Sequence, residues 1–199
     1  DVKALWTVNE HGYLNADIVL SDKTVNRMLG VYVPTKEDQT PDWRCYSASS
    51  GVPSNIKDET LSFWVLGGTG SVPTPNPDPK PEPDPKPEPD PKPNPAAGEA
   101  AQLTELHSGD QVYICNPASG EKGKNLVMSG LGEDGKQFTS VEAEITDGIL
   151  SVTAEMLALT VTVDSDGNYT FQDENGKYLT VNGKNDMSLE SASSEASTW

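Results

Sequence analysis

The stretch Leu159–Val181, which reads LTVTVDSDGNYTFQDENGKYLTV, decides the fold class of this 199-residue chain. Within it, apolar and polar residues alternate over three short runs, which is the period of a half-buried β-strand. The runs are separated by Asp166-Gly167 and Asn175-Gly176, two pairs that favour the positive backbone angles of tight hairpin turns. The stretch therefore predicts three antiparallel strands joined by two tight turns.

The same pattern extends outward along most of the chain. Short alternating runs are separated by Gly or Asn-Gly, and almost no segment has a helical period. One weak candidate helix lies around residues 152–159. The sequence therefore predicts an all-β protein built from short antiparallel strands.

A proline-rich segment interrupts this pattern. Prolines occupy every odd position from Pro73 to Pro95. Because proline has no backbone donor and favours extended geometry in the residue before it, the segment predicts a polyproline II rod without a core. At about 3.1 Å per residue, such a rod would reach about 70 Å. We assign residues 71–101 as an extended linker, 1–70 as the C-terminal part of a β module, and 102–199 as the N-terminal part of a β module.

The charge balance excludes several classes of partner. The formal net charge is -17, with only 14 lysines and arginines in the whole chain. Binding to nucleic acid and adsorption to an anionic membrane both need a basic patch, and the sequence contains none. No apolar run approaches the roughly 20 residues that a membrane span needs, so we expect no membrane insertion. Since the chain starts at Asp1 and stops on Trp199 inside a predicted strand, we take it to be a fragment of a longer protein.

Three stretches share one order of strands and turns. Each has an alternating strand, a Gly-containing turn, a Leu-centred strand, a polar stretch, and a closing aromatic or aliphatic strand. They span residues 112–161, 169–199 and 13–66. The closing strand of the second is cut off at Trp199, and Trp6-Thr7-Val8 would complete it. Read in that order, the pieces form one module of three units.

Two arrangements of these pieces are possible. In the first, the chain holds the end of one module and the start of the next. Alternatively, its two parts associate, either within one chain, if the linker doubles back, or between chains by strand or domain exchange. A rod of about 70 Å cannot easily connect two strand ends that lie side by side. We therefore favour two incomplete neighbouring modules.

Three four-stranded units that close with a Trp or aliphatic strand resemble a β-trefoil. The sequence Gly176-Lys177-Tyr178-Leu179 in mid-repeat, with an aromatic residue at the repeat end, resembles the ricin-type repeat. More loosely, the chain is similar to repeat modules of large secreted proteins of Gram-positive gut bacteria. Such modules often accompany nuclease or phosphoesterase domains. The resemblance implies an extracellular or cell-wall-attached protein.

Arg44 and Tyr46 are the candidate binding residues. They lie in an aromatic and cationic cluster with Trp43. In a strand, Trp43 and Cys45 point to one face, while Arg44 and Tyr46 point to the other. We therefore expect Trp43 in the core and the other pair at the surface, where an aromatic residue stacks on sugars or anchors a protein interface.

Chemically reactive sites are harder to find. Asp164–Asn168 resembles the opening of a calcium loop, but glycine stands fourth rather than sixth, so a hairpin turn fits better. Cys45 and Cys115 are expected to be small buried hydrophobes, with a disulfide between them as the alternative in an oxidising exterior. With no nucleophile, metal or cofactor motif in the sequence, we expect no catalysis, no metal and no cofactor.

The function predicted from these features is a non-catalytic binding or display module of a secreted or cell-surface bacterial protein. A glycan is the first candidate partner, and a host or bacterial surface protein is the second. The alternative is an accessory region of an extracellular hydrolase, a nuclease or phosphoesterase, whose catalytic domain lies outside this fragment. A third reading is a stalk element without a ligand.

Overall fold

The computed structural model describes residues 5–8, 13–20, 23–32, 34, 41–47, 61–66, 98–117, 123–183 and 185–191. We call residues 5–66 the upstream flank and residues 98–191 the downstream flank. These residues contain fifteen strands and no helix, and every strand pairing is antiparallel. The all-β prediction is confirmed.

The strands of the upstream flank are β1 (Thr7–Val8), β2 (Leu14–Leu20), β3 (Lys23–Tyr32), β4 (Asp42–Ser47) and β5 (Ser62–Leu66). The downstream flank begins with β6 (Glu99–Leu103), β7 (Gln111–Asn116), β8 (Asn125–Leu131), β9 (Phe138–Ala143), β10 (Ile145–Thr146) and β11 (Ile149–Ser151). It continues with β12 (Leu159–Val163), β13 (Tyr169–Gln172), β14 (Tyr178–Val181) and β15 (Met187–Glu190).

The two predicted hairpin turns join β12 to β13 and β13 to β14. Asp164 Oδ1 accepts hydrogen bonds from the backbone N–H groups two and four residues further on, both at 2.9 Å. Asp173 Oδ1 repeats this pattern at 3.0 and 2.7 Å. Gly167 and Gly176 have φ angles of 81° and 76°, which other residues adopt only at a cost. Each aspartate therefore fixes its turn, and the calcium-loop pattern at Asp164 is accounted for as a turn.

The prediction of a helix around residues 152–159 is wrong. The Val152 N–H donates to Gly98 O at 2.8 Å, and the Leu157 N–H donates to Met128 O at 2.9 Å. These donors bond to neighbouring segments instead of to the preceding helical turn. A short apolar run fits a helix or an extended segment equally well, and here the sheet neighbours decide.

Both flanks contribute strands to one sheet. Its main path runs β1-β2-β3-β4-β9-β8-β7-β12-β13-β14-β15. β5 lies between β6 and β7, while β6 also pairs with β11, and β11 pairs with β10. The upstream strands thus enter the sheet at two places, beside β9 and between β6 and β7.

The described residues form two larger hydrophobic cores, besides a small cluster of Tyr13 and Met28. The main core draws on both flanks and holds Trp6, Leu14, Ala16, Ile18, Leu29, Val31, Trp43, Cys45, Leu61, Phe63, Leu106, Val112, Ile114, Leu126, Met128, Phe138, Leu159, Val161, Phe171, Leu179, Val181 and Met187. The second core holds Trp64, Ala100, Tyr113, Cys115, Val127, Leu150 and Met156. Burial of apolar side chains at about 25 cal/mol per Å² makes the larger, main core the principal source of stability.

The shared main core differs from our expectation of two incomplete neighbouring modules. Trp6 exchanges two backbone hydrogen bonds with Tyr169, both 2.7 Å long, and Trp43 lies opposite Phe138 in the sheet. Each flank thus covers apolar surface of the other, a gain that the length of the linker alone does not reflect. The two flanks therefore pack together as complementary parts.

The boundary of the linker also differs from the assignment. β6 begins at Glu99, so residues 99–101 belong to the sheet, where Ala100 and Ala101 are buried against β5. The reason is that this alternating segment has β5 and β11 as neighbours on its two edges. The rod predicted for residues 73–95 lies outside the described residues and stays a prediction.

Candidate functional site

Arg44 and Tyr46 lie on the outer face of the β2–β4 sheet, and Trp43 and Cys45 lie on its inner face. The latter two are fully buried in the main core, which confirms the expected place of Trp43. Six side chains form the surface that we call the Tyr–Arg face: Tyr13, Met28, Tyr32, Asp42, Arg44 and Tyr46.

Arg44 is held at this face by two neighbours. Its guanidinium carbon lies 4.1 Å from the centroid of the Tyr32 ring, which is a cation–π geometry. Its Nε donates to Asp42 Oδ1, and its Nη2 donates to Asp42 Oδ2 at 2.8 Å. The hydrogen bonds to Asp42 raise the pKa of Arg44 further above its already high value. The result is a planar, permanently charged group in a fixed orientation.

The local sequence explains why these groups meet. Asp42, Arg44 and Tyr46 stand at alternate positions of β4, so their side chains share one face. On β3, Tyr32 lies opposite Asp42, and Gly30 lies opposite Arg44. Because glycine has no side chain, Gly30 leaves room for the guanidinium of Arg44 to lie over the Tyr32 ring.

Tyr46 has a different environment from Arg44. It is half-buried and packs against Tyr13 and Met28, which are 6% and 2% exposed. The structure therefore brings the two predicted residues to the same face but gives them different roles. Arg44 presents polar groups, whereas Tyr46 forms part of the apolar floor beside them.

Tyr32 and Asp42 were not recognised as members of this site from the sequence. Asp42 could have been found, since it precedes Arg44 by two residues and shares its face of β4. Tyr32 could not, because its place beside Arg44 depends on the register between β3 and β4.

The histidine and cysteine side chains outside this face have structural surroundings. The His107 N–H donates to Asp110 Oδ2 at 2.8 Å in an exposed turn. Among the described residues, no group of three or more His, Cys, Asp or Glu side chains could hold a metal ion. Cys45 and Cys115 are buried and form no disulfide, as predicted for small buried hydrophobes. Burial raises the pKa of Cys115 to about 12 and also raises the pKa of Cys45, so both stay protonated at neutral pH.

No protein-family model, curated protein or solved structure matches this chain. In the part of the chain that the structure describes, no helix is long and apolar enough to cross a membrane. The site must therefore be interpreted from its own geometry. It offers a fixed, partly exposed guanidinium, a carboxylate paired with it, and the half-buried rings of Tyr32 and Tyr46.

Proposed function

We propose that this chain is a non-catalytic binding module of a secreted or cell-surface bacterial protein, and that its Tyr–Arg face binds carbohydrate. The observation that carries this proposal is the clamp formed by Arg44, Asp42 and Tyr32. Its guanidinium supplies hydrogen-bond donors and its carboxylate supplies acceptors. Sugar hydroxyl groups donate and accept hydrogen bonds, so they match both halves of the clamp.

The charge of the site favours uncharged sugars. The charge of Arg44 is already compensated by Asp42, and the chain as a whole carries a formal net charge of -17. Arg44 is the one cation among the six described residues of this face, so an anionic glycan would meet a repulsive field there. A neutral glycan meets no such penalty and uses the tyrosine rings as apolar surface.

The fold proposed for this module is a β-trefoil. Support comes from a run of strand pairs that links the three repeated stretches: β5–β7, β7–β12, β12–β13, Trp6–Tyr169 and β1–β2. Within each stretch the inner strands pair as hairpins, β8–β9, β14–β15 and β3–β4. One difference from a simple ring is that β5 pairs with β6 on its second edge instead of with β2.

The test is a glycan array probed with the intact chain, followed by calorimetry with the best ligand. We expect binding to neutral glycans and a loss of about tenfold in affinity, or about 1.4 kcal/mol, in Arg44→Lys, which keeps the charge but loses the planar fork. The matched control is Asn26→Ala. Asn26 bonds to Asp17 at 2.8 Å on the same sheet but lies outside the Tyr–Arg face.

Two results would contradict the proposal. If the chain binds none of the mammalian, plant and bacterial glycans on the array, carbohydrate is excluded as the ligand. Equal affinity of Arg44→Lys, Asn26→Ala and the parent chain would place any sugar binding elsewhere. Both variants must melt cooperatively, like the parent chain, for the comparison to count.

A further inference from the structure

β5 is held by the downstream flank. It forms four register pairs with β6 and four with β7, and no pairing with another described strand of its own flank is observed. Trp64, at its centre, is 3% exposed and belongs to the second core, whose other buried members are all downstream residues. Ser62 Oγ also donates to Cys115 O at 3.3 Å.

The rest of the upstream flank is attached in the same way. Trp6 donates from Nε1 to Leu179 O at 3.0 Å, in addition to its backbone bonds with Tyr169. Phe63 stacks on Phe171 with a centroid distance of 6.1 Å. These contacts make the flank boundary an extended interface that resembles the inside of a domain.

The rod predicted for the connection between the flanks would oppose this arrangement within one chain. Leu66, at the end of β5, lies directly opposite Ala100 in β6, so the two Cα atoms are about 5 Å apart. The chain between them includes the alternating prolines of residues 73–95. A sequence of this kind favours an extended, stiff segment of about 70 Å, which would have to reverse its direction to connect neighbouring strands.

We propose that copies of this chain exchange their upstream flanks, so that β5 of one copy occupies the place between β6 and β7 of another. The partner is a second copy because the contacts that complete each flank are those of this chain itself. In the exchanged dimer the linker crosses between two bodies and does not need to reverse. An exchanged flank makes the same contacts with the other copy as it makes within one chain. Exchange is therefore a low-cost route to dimers. This inference is independent of the proposed carbohydrate site.

The first experiment measures mass by light scattering after size exclusion, from micromolar to millimolar concentration. We expect a dimer whose share grows with concentration. Replacing residues 73–95 by a Gly/Ser segment of equal length raises the effective concentration of the flanks within one chain and should lower the dimer-to-monomer ratio about tenfold. A parent chain that stays monomeric throughout, or equal dimer formation by both proteins, would overturn the proposal.

The second experiment separates exchange from unspecific association. Phe63→Asp damages the upstream half of the Phe63–Phe171 contact, and Phe171→Asp damages the downstream half. Neither variant alone should unfold cooperatively like the parent. After co-refolding, the mixture should regain a cooperative transition, since exchange combines one intact upstream flank with one intact downstream flank. A mixture that behaves as the sum of its two components would contradict exchange.

Discussion

The main core and the second core differ in where their residues come from. The main core takes large side chains from both flanks, including Trp6 and Trp43 from upstream and Phe138 and Phe171 from downstream. The second core takes all its buried residues from the downstream flank except Trp64. The downstream flank therefore has apolar contacts largely its own, whereas the upstream flank depends on docking. A mutation in the main core should therefore separate the two flanks. A mutation in the second core should destabilise only the part of the sheet around β6, β10 and β11.

Among the truncations to alanine, the largest effect is expected for Trp6→Ala. Trp6 is fully buried, and its indole donates to Leu179 O across the flank boundary. Truncation leaves a cavity and an unsatisfied carbonyl, so we expect a loss of about 3–5 kcal/mol in the free energy of unfolding. Denaturant titration followed by circular dichroism measures this loss. The matched variant Trp6→Phe keeps most of the apolar volume and should lose only about 1–2 kcal/mol. Equal losses in the two variants would contradict a packing role.

Leu150→Ala should have a smaller and more local effect. Leu150 is fully buried in the second core and lies opposite Ala100 in the sheet. We expect a loss of about 2 kcal/mol, the low end for leucine truncation, because the smaller cluster can relax around the cavity. Hydrogen exchange should accelerate in β6, β10 and β11 and stay unchanged in β13 and β14. Uniform acceleration would mean that the two cores open together.

The thiols give the smallest predicted effect, one in each core. Burial raises the pKa of Cys115 to about 12 and also raises that of Cys45, while an exposed thiol ionises near pH 8.5. Since the folded values are the higher ones, the stabilisation is complete below about pH 8.5 and is lost as the pH rises toward about 12. At about pH 9.5 the loss should be about 1 kcal/mol per thiol.

The check is the stability of the parent chain and of Cys115→Ala between neutral pH and about pH 9.5, where the unfolded thiol is mostly ionised. The variant should show a weaker pH dependence, whatever its absolute stability. Native-state alkylation adds a second comparison, because Cys115 needs an opening of the second core and Cys45 needs an opening of the main core. We expect Cys115 to be labelled faster, since its core is the smaller one, and faster labelling of Cys45 would contradict this.

The parts of the fold that depend on local sequence could be predicted. Alternation and the Asp-Gly and Asn-Gly pairs specified β12, β13 and β14, since turn chemistry acts within a few residues. The place of β5 between β6 and β7 could not be predicted, because it depends on contacts between residues far apart in the chain. Arg27 could not be foreseen either: it is 5% exposed, and its Nε and Nη1 have no hydrogen-bond partner in the described part of the chain.

The candidate site shows the same division between features set by local sequence and features set by contacts across strands. Strand alternation gave the outward direction of Arg44 and Tyr46 and the burial of Trp43. The contact of Arg44 with Tyr32 follows from the pairing of β3 with β4, which a single sequence does not specify. Residues that share a strand are therefore predictable as a group, and residues joined across strands are not.

The burial of the tryptophans has an optical consequence. Trp6, Trp43 and Trp64 belong to the upstream flank, and each lies opposite a downstream aromatic residue in the sheet. An indole in apolar surroundings emits at shorter wavelength than one in water, because the solvent cannot relax around its excited state. The wavelength of the emission maximum of these three side chains therefore reports whether the flanks are docked, without any added label.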